Sequence, residues 1–168
     1  ALFIALGSYY IIRWRLMKPA LILSIIVALG AVIYMVRDNT YLDYAPNFER
    51  TVSHERFDNL IEATYKMEDI STMERVYRWV AAGHMTPERP ILGWGPGNFV
   101  NFYRAFTVTS FQTYVSDNPE QSGIHSYFFM TLVEQGLPGL VFFVAILFVF
   151  FLRGEQLYHA LAAYPERQ

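Results

Sequence analysis

Apolar residues fall in three blocks: Ala1 to Ile12, Pro19 to Val36 and Pro138 to Leu152. The second and third contain no charged residue. Pro19 to Val36 is 18 residues, about 27 Å of helix at 1.5 Å per residue, close to the ~30 Å hydrocarbon core of a bilayer. Its uniform apolarity leaves no polar stripe for water, which predicts a membrane-spanning helix rather than an amphipathic surface helix. The last block is extended upstream by Tyr127 to Val133 through a Gly136-Leu-Pro-Gly139 break. Such a break is tolerated in a spanning helix when neighbouring groups satisfy the freed backbone. Ala1 to Ile12 reads as the tail of a further spanning helix, so the chain reads as a fragment.

Short basic loops set the expected orientation. Arg13, Arg15 and Lys18 lie in the link between the first two apolar blocks, and Arg153 follows the last. Basic residues stay on the cytoplasmic side. This places residues 13–18 and 153–168 in the cytoplasm, helices at 19–36 and 125–152, and 37–124 outside, in a periplasm. The expected fold is all-α: a polytopic membrane bundle with a large external helical segment. Arg37 to Gly123 carries eight Arg/Lys and twelve Asp/Glu, compatible with export.

Within that segment Ser53 can cap a helix whose Phe57, Leu60, Ile61 and Tyr65 recur at helical spacing, supported by a Glu62–Lys66 pair at i, i+4. A second helix is predicted from Ser71, with Glu74 completing a capping box, to about Met85, where Pro87 stops it. The run from Pro90 to Phe99 holds Gly93, Gly95, Gly97, Pro90 and Pro96, the signature of a fixed irregular turn. It lacks the GxxxxGK[ST] spacing of a phosphate loop and reads as structural. Residues 101–114 fit either helix or extended chain, and 116–123 form a polar loop.

The composition narrows the function. The 168 residues include no cysteine, 17% charged residues and a net charge of −2. This excludes a disulfide scaffold, zinc–thiolate sites and a cysteine nucleophile, and argues against disorder and nucleic-acid binding. No DxD, HxxxH or HExxH pattern suggests a metal.

Three places can carry chemistry. Arg75, Arg78 and Trp79 share a helix face at i, i+3 and i+4. They suit either interfacial anchoring or a planar donor fork for phosphate. His125 stands where apolar sequence resumes beside the polar loop; it is either a structural histidine or a general base suited to neutral pH. Glu134, nine residues further on, is a functional candidate by virtue of its expense in a membrane segment, or the maker of a structural hydrogen bond near the Gly136 break.

The order of Arg75-Val-Tyr-Arg-Trp79, then Pro90-Ile-Leu-Gly-Trp-Gly-Pro-Gly-Asn-Phe99, then His125-Ser-Tyr-Phe-Phe-Met-Thr-Leu-Val-Glu134-Gln-Gly-Leu-Pro-Gly139 resembles the O-antigen ligase and polymerase family. The resemblance covers about Pro19 to Leu152. Many members have His-Asn where this chain has His125-Ser126, and a further family arginine lies upstream of the matching region. The resemblance implies a GT-C-type bundle in the bacterial inner membrane. It also implies a glycan donor on undecaprenyl pyrophosphate, and lipid A core or another glycan as acceptor. Arg75 and His125 are the implied catalytic residues; Arg78, Trp79 and Glu134 are candidates for substrate binding. Neither cofactor nor metal is expected. Glycan polymerases and protein glycosyltransferases of the same family fit the motifs equally. A transporter fragment fits less well, because the charged candidates cluster at the outer boundary rather than at the midplane.

Overall fold

A computed structural model describes residues 2–44, 70–112 and 116–163. The helix expected from Ser53 lies outside the described residues. Among the described residues every regular element is helical. We number the α-helices α1 (Leu2–Arg13), α2 (Met17–Val36), α3 (Ile70–Met85), α4 (Phe99–Phe102) and α5 (Tyr127–Ala162). Short 3-10 turns cover Arg37–Tyr44, Thr86–Glu88, Tyr103–Phe106 and Thr109–Phe111. Of the segment left open between helix and extended chain, residues 101–106 and 109–111 are helical, in short pieces. Residues 1–38 and 143–168 form one compact unit, and 39–142 form another. Helix α5 contributes to both.

In the first unit, α1 and α2 bury none of their residues. Helices α2 and α5 are long and apolar enough to cross a membrane. The unit is joined at its polar end by two hydrogen bonds. Met17 N–H, in the first turn of α2, donates to Glu155 Oε1 at 3.1 Å. His159 Nε2 donates to the Ile12 carbonyl, in the last turn of α1, at 2.7 Å. A carboxylate at a helix start and an N–H donor at a helix end satisfy backbone groups that the helices themselves leave unpaired. Helix α5 continues nine residues past Arg153, which is why Glu155 and His159 are presented from a regular helix.

The second unit has a core of its own. Met73, Tyr77, Ala81, Ala82 and Met85 line one side of α3 at helical spacing and pack with Phe99, Tyr103, Phe111, Ile124 and Val133. Helix α3 begins at Ile70, so Ser71 is its second residue rather than the residue before it. The glutamate expected to close a capping box is instead buried, with partners in the site described below.

The Pro90–Phe99 turn is fastened to α5 at its break. Gly136 has φ 70° and ψ −172°, which interrupts the helix, and Pro138 has no N–H to donate. The α-helical partner of the Glu134 carbonyl would be that missing N–H, so the carbonyl is free. Gly95 N–H takes it at 2.9 Å, Trp94 N–H takes the Val133 carbonyl at 2.9 Å, and Leu137 N–H turns to the Pro90 carbonyl at 2.8 Å. Both Gly93 and Gly136 have positive φ, and a Cβ on either would run into the other strand's backbone. At Gly136 it would stand 2.2 Å from the Ile91 carbonyl oxygen. The amides of Gly93, Trp94, Gly95, Asn98 and Phe99 thus all donate to protein acceptors, which agrees with the structural role that the turn's sequence suggests.

Candidate active site

Helix α3 is anchored in the core by its Met73–Tyr77–Ala81 side, and this aims the other candidates. Arg75 is exposed and Trp79 is 37% exposed, whereas Arg78 is 5% exposed. The shared face read from spacing is therefore graded, from an arginine in the open to one inside the unit. Arg78 Nη2 reaches Glu74 Oε2 at 3.4 Å, one turn back on α3. Glu74 Oε1 accepts the Ser116 hydroxyl at 2.8 Å, across 42 residues of sequence. Arg78 Nε is buried without a hydrogen-bond partner.

Trp79 joins α3 to the segment carrying His125. Its indole Nε1–H donates to the Ile124 carbonyl at 3.0 Å, and its ring lies 6.0 Å from that of Phe129 on α5. Ile124 is itself fully buried. His125 follows in a left-handed conformation, φ 57°, that non-glycine residues adopt at a cost of order 1–3 kcal/mol. The chain then enters α5. Ser126 stands before the helix: its carbonyl accepts Met130 N–H at 2.9 Å, and its hydroxyl lies 3.5 Å from Phe129 N–H. Serine and asparagine are both favoured at this capping position, which gives a physical reason why Ser126 can replace asparagine.

His125 is exposed on one side, yet its pKa is lowered from 6.5. The protein against the other side of the ring withdraws water and disfavours the charged form most; the Arg78 and then the Arg75 guanidinium add electrostatic opposition. Residues fifty positions apart thus act on one another. An imidazole whose charged form is disfavoured thus stands within electrostatic reach of two guanidinium groups, one open and one buried.

Glu134 is at the α5 break. It is 7% exposed, and Oε1 accepts Phe99 N–H at 3.4 Å. Its visible partner belongs to the turn joint. Phe102 is exposed, while Tyr103 and Phe111 belong to the core. Among the described residues no group of three or more His, Asp or Glu is placed to hold a metal ion. Sequence reasoning missed Ser116 and the buried state of Glu74. The capping-box pattern gave Glu74 a local explanation, and nothing local marks a serine that pairs across 42 residues.

The described residues are helical, with two helices long and apolar enough to cross a membrane and a histidine within electrostatic reach of two arginines, the build of a membrane protein with a polar site. The chain belongs to the O-antigen ligase family: the family model described as O-antigen ligase matches residues 1–144. This is a family of glycosyltransferase-type membrane proteins that handle glycans and lipid-linked substrates. Comparison with curated proteins and with solved structures gave no match.

Proposed function

We propose that the chain carries the transfer site of an O-antigen ligase-type glycosyltransferase, working at the periplasmic face of the bacterial inner membrane. The donor is a glycan on undecaprenyl pyrophosphate, and the acceptor is a hydroxyl of lipid A core or a similar glycan. The observation that carries this reading is the hydrogen bond from the Trp79 indole to the Ile124 carbonyl, which ties the helix bearing Arg75 and Arg78 to the segment bearing His125; the lowered pKa of His125 agrees with it. Bond making and breaking balance without a cofactor. The acceptor oxygen bonds to the anomeric carbon as the bond from that carbon to the pyrophosphate oxygen breaks. The hydroxyl proton passes to His125, and the electron pair leaves with the pyrophosphate. Arg75 stabilises the charge that grows on the leaving oxygen, a role a divalent cation plays elsewhere. Attack opposite the leaving group inverts the anomeric centre.

The lowered pKa keeps His125 neutral, able to accept a proton, at neutral pH. The bound pyrophosphate offsets the arginine charges, so the base strengthens when the donor is in place. The test uses the full-length protein in membranes with its lipid-linked donor. His125→Asn retains a side chain that tolerates the left-handed backbone but removes the base, and transfer should fall about 10²–10⁴-fold. Arg75→Lys keeps charge but loses the planar fork and should also lose most activity. Near-wild-type transfer by either variant would refute the assignment.

A further inference from the structure

Arg78 is held as a buried charge should not be. Its side chain is 6% exposed. Its ion pair to Glu74 is 3.4 Å long, against ~2.7–2.9 Å for a good charge-assisted bond, and Nε has no partner. A buried cation with an incomplete set of acceptors is costly unless something else completes the set. Snorkelling to a lipid surface does not account for it, because a snorkelling arginine extends its head into water. Glu74 does not close a bidentate pair here: Oε1 is engaged by the Ser116 hydroxyl, and Oε2 alone reaches Nη2. The pair therefore fixes where the guanidinium stands without saturating it.

We infer that Glu74, oriented by Ser116, is a positioning residue that holds Arg78 ready as a second donor to the leaving pyrophosphate. This rests on the proposed transfer reaction and deepens it. Arg75 is open and can meet the substrate as it arrives. Arg78 is placed beforehand, so less side-chain freedom is lost on binding. The carboxylate opposes the anion by charge while serving it by placement, and the two effects have opposite signs on affinity.

Isothermal titration of the full-length protein in detergent with inorganic pyrophosphate, at fixed ionic strength, separates them. Arg78→Ala should weaken binding about ten- to hundredfold, the range for hydrogen bonds to charged groups. Glu74→Gln should weaken it tenfold or nearly so, and Ser116→Ala less. The Glu74→Gln/Arg78→Ala double variant should bind no more weakly than Arg78→Ala, since Glu74 acts only through Arg78. A merely structural role would give additive losses. The inference is overturned by additive losses, by binding that Glu74→Gln leaves unchanged or tightens, or by a wild-type protein that does not bind pyrophosphate. If Glu74→Gln does not fold, the same cycle between Ser116→Ala and Arg78→Ala decides, with the same criteria. Transfer assays on Arg75 and His125 variants test the parent reading separately: their failure with an intact binding cycle would leave an anion site without the reaction.

Discussion

The two compact units of this chain bury their apolar residues in different ways. Around α3 the large side chains are packed within the unit, with Met73, Phe99, Tyr103 and Phe111 at 1% exposure or less. Along α2 no residue is buried, although the helix is apolar on every side, and Ile26 is 59% exposed. A uniformly apolar surface of that length is stable only against lipid or other helices. The first kind of unit specifies its shape internally, by packing and by hydrogen bonds between distant segments. The second is shaped for a medium. A site that needs a histidine and two arginines in fixed relation belongs in the first kind, and the proposed site lies there.

The strongest way to break this comparison is at the joint between turn and helix. Gly136→Ala must place a Cβ 2.2 Å from the Ile91 carbonyl in a left-handed backbone, so it should lower the stability of the unit of residues 39–142 by about 3 kcal/mol or more. Limited proteolysis and thermal unfolding in detergent would show it; an unchanged melting temperature would mean that the turn is not docked as described. A direct contrast of the two units comes next. Met73→Ala should destabilise by about 2–5 kcal/mol, while Ile26→Ala, at a position 59% exposed, should stay within roughly 0.5 kcal/mol. Equal losses would erase the distinction.

Trp79→Phe keeps an aromatic ring beside Phe129 but removes the bond to the Ile124 carbonyl, at about 1 kcal/mol. Its larger signature should be slower transfer, because the segment holding His125 is no longer tied to the helix holding the arginines. The smallest effect is in pH. Wild-type His125 should titrate below 6.5, so its imidazole is neutral above that and loses its capacity as a base as pH falls through the lowered value. Removing a neighbouring positive charge makes the imidazolium easier to form, so Arg75→Gln should move the titration upward. NMR of the His125 ring protons checks the sign, and a downward shift would contradict the coupling.

Much of this was legible in the sequence because it is local. Helix α2 follows from an unbroken apolar run, and α3 ends where Pro87 stops it. The clustering of glycine and proline between Pro90 and Phe99 announced a rigid turn. Proximity was not legible from local pattern: nothing in the spacing of Arg78 says that it is buried, or that Ser116 answers Glu74. The order of motifs suggested that Arg75 and His125 belong to one site, but the tie through Trp79 and Ile124 is a tertiary bond that periodicity does not encode. His125 shows the same limit, since its left-handed backbone follows from its place between a pinned Ile124 and the cap of α5.

The interlocked glycines have a consequence for how such sequences vary. Gly93 and Gly136 each deny the other strand room for a side chain, so Pro90-Ile-Leu-Gly93 and Gly136-Leu-Pro-Gly139 are two halves of one clasp. A change in either half alters the shape that the other must fit. Chimeras cut between them should fail when the halves come from differently shaped clasps, while exchanges that carry both halves together should fold. The unit of inheritance here is the pair, not the motif.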